Sequence, residues 1–165
     1  MRNLLSLFAV LIFFSCNSND ASDDEGNADT VYLKTDTLSV SSELAPRIDN
    51  LIWLASFDSA KKHVVMKQLK EVNPDTLSAE KIIKDINLSW DGIKLEFKKI
   101  SHDTMYVSIP ESNTLTQGMG SSGAYNYISS TTFSLTELKN IKFVNYDFVE
   151  GDHMAPGTMK RSDFR

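Results

Sequence analysis

The residues able to do chemistry in this chain are few and scattered. It carries three histidines, His63, His102 and His153, each more than 35 residues from the next. None forms the H-x-H or H-x-x-x-H spacing that aims two imidazoles at one metal ion, so surface histidines are expected, and no cofactor or metal site is expected. The densest polar group is Glu150, Asp152 and His153. Its carboxylates and imidazole suit acid–base work, and a solvated terminal loop is the plainer expectation. No G-x-S-x-G nucleophile elbow is present. Trp53 and Trp90 read as core. Tyr125 and Tyr127, two apart on an expected helix, could turn one ring outward toward a carbohydrate or peptide. Together, Tyr125, Tyr127, Glu150, Asp152 and His153 are the candidate binding residues.

Gly118, Gly120 and Gly123 in GMGSSG match the dinucleotide fingerprint G-x-G-x-x-G. That motif works only when its first glycine directly follows a strand, so that pyrophosphate meets the helix N-terminus. Here the preceding strand pattern ends near Pro110, and Asp147 lies 29 residues beyond Gly118 rather than about 20. A permissive turn is the better reading.

The elements that must hold these residues follow from periodicity. Asn50 to Phe57 is a compact apolar run expected as a buried strand and Asp58 to Lys62 a hairpin connection; His63 to Val72 reads as its partner strand, with a helix as the rival reading because the periodicity is ambiguous. Asn73-Pro74-Asp75 breaks the chain. Ser78 opens a helix whose Ile82, Ile83 and Ile86 form one stripe, and Trp90-Asp91-Gly92 ends it. Ile93, Leu95 and Phe97 alternate with Lys94, Glu96 and Lys98 as a strand. A turn at Ser101 to Thr104 joins it to Met105, Val107 and Ile109 in a hairpin. After Gly123, Ala124, Tyr127, Ile128, Leu135 and Leu138 mark a helix stripe, and Ser134 to Glu137 has capping-box spacing for a helix restart. Asn140 is the expected terminator, and Ile141 to Phe148 the closing strand. The order is β-β-α-β-β-α-β, an α+β sandwich with two helices on one face of a mixed or antiparallel sheet. Residues 151–165 lack periodicity and are expected to fold back as a tail, turning at Pro156-Gly157.

The N-terminus speaks to location. A short basic start containing Arg2 leads into Leu4 to Phe14, eleven residues with only Ser6 polar. That is too short for a permanent span and fits a secretory signal. Ser15 then precedes Cys16, the sole cysteine. The arrangement resembles a bacterial lipoprotein signal, which implies cleavage after residue 15 and lipidation of Cys16. Without a second cysteine the domain depends on packing for stability. Residues 16–30 then read as a lipid-anchored tether, with Asp20, Asp23, Asp24, Glu25 and Asp29 and no base over 17–30. Residues 31–165 carry 16 basic and 17 acidic residues. A body so nearly neutral has no footprint for nucleic acid.

Residues 50–150 resemble the GerMN domain, named from spore-germination and sporulation proteins. The resemblance rests on the helix Ala79 to Leu88, the strands ending in Met105-Tyr-Val-Ser-Ile-Pro110, the helix through Tyr125-Asn-Tyr-Ile, the segment Phe133-Ser-Leu-Thr-Glu-Leu138, and the closing strand with Glu150-Gly151. It implies one α+β envelope module over 31–150, without transferable catalytic residues. The functional expectation is a non-enzymatic, lipid-anchored module of the cell envelope, at the outer membrane, held to the membrane by Cys16 and binding an envelope protein or peptidoglycan. The alternative is a small hydrolase or metal-dependent enzyme using residues 150–153.

Overall fold

The computed structural model describes residues 45–58, 60 and 63–164. Cys16, its signal and its tether lie outside the described residues, as do residues 30–40, where Val31, Leu33, Leu38 and Val40 suggest an edge strand or an extended arm.

The chain enters through a 3-10 turn at Ile48–Asn50 and forms the hairpin β1 (Trp53–Asp58) and β2 (His63–Gln68). Helix α1 (Ala79–Ser89) follows, started by Ser78, whose hydroxyl accepts from the Lys81 N–H. Then come β3 (Glu96–Ser101), β4 (Thr104–Ser108), a π-helical turn (Thr114–Gly118), α2 (Gly120–Leu135) and β5 (Phe143–Asp147). The order expected from periodicity is present, and the class is α+β.

Two features differ from the single sheet expected. The β1–β2 hairpin is a sheet of its own, and the second sheet has the order β3-β4-β5-β6. In it β4 and β5 run parallel and the other pairs antiparallel, so the sheet is mixed. The added strand β6 (Gly157–Met159) comes from the tail. The tail is therefore part of the fold, and it ends in a 3-10 turn at Arg161–Asp163 and the buried Phe164.

Helix α2 runs through the middle. Ser129 to Thr132 are all at most 1% exposed, alongside Ala124, Tyr127, Ile128 and Leu135. No side chain in α2 is charged, yet the helix is rich in hydroxyls. A helix buried on every side needs such residues satisfied locally. Ser129 donates to the Tyr125 carbonyl and Ser134 to that of Ser130, one turn back. Other hydroxyls reach outward from opposite faces. Ser130 Oγ accepts the Ala55 N–H of β1 at 2.9 Å, and Thr132 Oγ1 meets the Tyr146 hydroxyl of β5 at 2.9 Å. Small side chains let both sheets approach closely. Trp90 Nε1, Ser108 Oγ, Tyr127 Oη and Thr131 Oγ1 are buried with no hydrogen-bond partner among the described residues.

Local corrections have local causes. The strict alternation began at Ile93, but β3 starts at Glu96 because the Asn87 side chain takes both the N–H and the carbonyl of Leu95. A bulge between Phe97 and Lys99 then shifts the register. The three glycines do not form a turn ahead of the helix. Gly120, at φ +67°, opens α2, and Gly123 lies inside it, where a Cβ would sit 2.9 Å from Met119 Cβ. Ser134 does not restart a helix, since its hydroxyl is turned back to Ser130, and α2 runs unbroken to Leu135. Asn140, at φ +68°, turns the chain toward β5 as expected.

The two buried tyrosines predict different outcomes. Tyr146→Phe leaves Thr132 without its partner and should cost about 1–2 kcal/mol in urea unfolding. Tyr127→Phe removes a hydroxyl whose polar neighbour, Thr131, lies outside good hydrogen-bond geometry, and should be close to neutral. Burial pushes both hydroxyls well above the ordinary tyrosine value of 10.0. The folded state thus holds protons that the unfolded state releases above that value, and stability is full below it and falls as pH rises beyond it. The alkaline loss, followed by circular dichroism, should be shallower in Tyr146→Phe than in the parent.

Candidate functional site

Two places gather the available chemistry. The first is the loop after β5. Its Gly151 N–H donates to the Met154 carbonyl, and the His153 N–H donates to the Thr116 carbonyl of the π-helical turn. The Gln117 amide, oriented to suit its neighbour, donates to Asp152 Oδ2 at 3.1 Å and accepts the Asp152 N–H at 3.3 Å. Gly151 is pressed so close that a Cβ would lie 2.7 Å from Thr116 Cβ. These contacts fix His153, whose Nδ1 lies 3.2 Å from Ser121 Oγ in the first turn of α2.

The two stretches singled out in the sequence, GMGSSG and the 150–153 cluster, therefore meet. A serine beside an imidazole is the start of a nucleophile–base pair. The group that would orient the imidazole is missing, however. Asp152 is engaged by Gln117, Glu150 is exposed, and no carboxylate among the described residues contacts His153. Among the described residues no three His, Cys, Asp or Glu side chains are grouped to hold a metal ion. The tyrosine pair separates: Tyr127 is sealed in the core edge-on to Trp90, and Tyr125 is half-buried edge-on to Phe164. Tyr127 is thus closed to any ligand, because the stripe it belongs to faces inward.

The second place is the β1–β2 hairpin. Leu69 N–H donates to the Ile52 carbonyl at 2.8 Å, so Ile52 and Leu69 are a hydrogen-bonded pair. Alternation along an antiparallel ladder makes Leu54/Lys67 and Ser56/Val65 bonded pairs, with Ala55/Met66 and the backbone pair Phe57/Val64 pointing outward. The Ala55 N–H bears this out by reaching Ser130 Oγ on α2. Helix α2 therefore closes the β1 edge. The outward N–H and carbonyl groups of Val64 and Met66 on β2 have no strand beside them among the described residues.

Next to that edge is an apolar groove of about 280 Å³, open on one side and lined by His63, Val64, Val65, Met66, Phe133 and Phe164. That is just below the about 300–1,000 Å³ typical of pockets that enclose small molecules. Its far wall is held by the tail. Arg161 donates from Nε to Thr136 Oγ1 (2.7 Å) and from Nη2 to the Phe133 carbonyl (2.8 Å) and Glu137 Oε1 (2.5 Å). The guanidinium also lies over the rings of Trp53 and Phe133, at 5.4 and 5.0 Å from their centroids. Trp53 Nε1 donates to the same Glu137 oxygen at 2.8 Å. One arginine so ties β1, the end of α2 and the tail together, and sets Phe164 against Phe133 and Tyr125.

Sequence reasoning missed the groove because its walls come from three separated segments. The signal it did contain was Arg161, a lone arginine in a stretch expected only to fold back as a tail, and Glu137, assigned instead to a helix cap. The other sheet edges are less inviting. Edge strand β3 carries a bulge and the charged Glu96, Lys98 and Lys99, and β6 has three residues.

Arg161→Ala should lower stability by about 2–4 kcal/mol, because it leaves Glu137 half-buried without its cation and frees the tail. Equilibrium unfolding in urea measures the loss, and limited proteolysis should then cut first after Lys160. Gly151→Ala should cost about 1–3 kcal/mol through overlap with Thr116 and Gln117. Compared with known proteins, the chain matches no family profile, no curated protein and no solved structure.

Proposed function

We propose that this chain is an exported, lipid-anchored module of the bacterial cell envelope that binds a protein partner by strand addition to β2. The observation that carries the binding reading is the asymmetry of the hairpin: α2 closes one edge, and the other, beside an apolar groove, has no strand against it among the described residues. Main-chain groups of an added strand would supply affinity, and the groove would take its alternate side chains. The anchoring half rests on sequence: the apolar run Leu4 to Phe14, then Ser15 and Cys16, then an acidic tether. The resemblance to GerMN domains, assembly modules of the envelope, agrees with both halves. Among the described residues no helix is long and apolar enough to cross a membrane, and on this reading the acyl chains at Cys16 do the holding.

A second reading, a small hydrolase at residues 150–153, has the Ser121–His153 contact in its favour. It ranks behind because no carboxylate among the described residues orients the imidazole. A fluorophosphonate reagent separates the two. Labelling of Ser121 that disappears in His153→Ala would establish the hydrolase, and an unlabelled protein is expected.

Two further results are expected. Cys16→Ser should move the protein from the membrane fraction to the soluble one, as read by fractionation and immunoblotting. A photo-cross-linking residue at Lys67, on β2, should capture one discrete protein in intact cells, while the same residue at Glu80, on exposed α1 surface, should not. Equal capture at both positions would contradict binding through β2.

A further inference from the structure

After β5 the chain runs along the central helix and is fastened to it at both ends. At the first turn of α2, the His153 N–H donates to the Thr116 carbonyl at 3.1 Å, and its Nδ1 lies 3.2 Å from Ser121 Oγ. Past the last turn, Arg161 donates to Thr136 Oγ1 and to the Phe133 carbonyl. Between these fastenings lies β6, the outer strand of its sheet, paired with β5 at three positions. The bonding of those pairs follows from the other side of β5. There the Phe143 N–H donates to the Asp103 carbonyl, and the Asp147 carbonyl accepts the Ile109 N–H. Phe143, Asn145 and Asp147 therefore turn their main-chain groups toward β4. Val144 and Tyr146 turn theirs toward β6, where Met159 and Gly157 are their bonded partners.

This strap buries little. From residue 155 to residue 164, Phe164 alone is buried. Segments with few buried apolar groups open at a lower free energy than the rest of a fold. The sheet does not need β6 either, because β3, β4 and β5 stay paired without it. We propose that Gly157 to Phe164 is a strap that opens as one unit while the remaining fold stays intact, and that its opening dismantles the groove beside β2. Two things change together in the open form. Phe164 leaves the groove wall it shares with Phe133, and Arg161 leaves Trp53, Phe133 and Glu137. The main-chain groups of Val144 and Tyr146 come free, so an edge opens on β5 as the groove is lost beside β2. By linkage, anything that fills the groove against Phe164 holds the strap shut. The strap rests on its own contacts and not on what fills the groove.

The test is amide hydrogen exchange of the full-length chain in a neutral detergent, read by NMR at rising urea concentrations below the unfolding transition. The amides of Val144, Tyr146, Gly157 and Met159 should share one protection, about tenfold or more below that of the β4 amides. Their urea slope should be about a quarter or less of the β4 slope, since an opening strap exposes little surface. The Phe164 amide, which donates to the Arg161 carbonyl at 3.3 Å, should follow them. A lock gives the second arm. Asn145 and Thr158 face each other as a pair without main-chain bonds, at a spacing that a disulfide spans. In Asn145→Cys with Thr158→Cys, oxidation should bring the four amides to the β4 protection and slope, and reduction should restore the difference. Protection and slope equal to those of β4 in the parent, or no change on oxidising the lock, would overturn the separate opening. A Phe164 amide that exchanges apart from the four would mean a fraying end and overturn the link to the groove.

Discussion

The constraint on which the rest of this structure depends is that its central helix is buried on every side. A helix in that position cannot hold charged residues, and an entirely aliphatic one would keep its neighbours at the distance of large side chains. Helix α2 solves both problems with serine and threonine. Some hydroxyls turn back on the helix carbonyls, and others are offered as hydrogen-bond partners to β1 and β5. The bond from Ala55 to Ser130 is the most consequential. It satisfies an edge N–H that would otherwise be buried and unpaired, and it fixes the hairpin as a separate two-stranded layer with only one edge open.

A two-stranded hairpin has little stability by itself. Here it is held from one side by α2 and from the other end by the tail. Arg161 draws Trp53, Phe133, Thr136 and Glu137 into one cluster, and Phe164 completes the wall of the groove. The groove is therefore built from the hairpin, the end of the central helix and the last residues of the chain. Such a surface exists only in the finished fold. Anything that loosens the tail alters the groove before it unfolds the sheet.

What the sequence made legible was set by how local each signal was. The apolar run at β1, the Ser78 cap, the Ile82, Ile83 and Ile86 stripe, the turn at His102 and the helix terminator at Asn140 are all determined within a few residues, and each appears where periodicity places it. The start of β3 was misplaced because Asn87, eight residues away, captures the backbone of Leu95. The buried serines of α2 were invisible to a search for apolar stripes, since hydroxyl residues normally mark a wet face. The strand and the anchors of the tail were not legible, because Arg161 and Phe164 acquire meaning only from partners more than 20 residues away. Of the candidate residues, His153 meets Ser121 of the second motif, and Asp152 is held by Gln117 just ahead of that motif. Tyr127 proved to be core, and the β2 edge was not located from the sequence.

The central claim is that the hairpin has one closed edge and one open edge. Amide hydrogen exchange in the free protein, read residue by residue by NMR, tests it most directly. The account predicts that the Ala55 amide, held by Ser130, exchanges slowly, as do those of Leu54 and Val65 within the hairpin, while Val64 and Met66 exchange close to the rate of an open chain. Slow exchange at Val64 and Met66 would mean that the β2 edge is already covered, and rapid exchange at Ala55 would mean that α2 does not close the other; either result would contradict it.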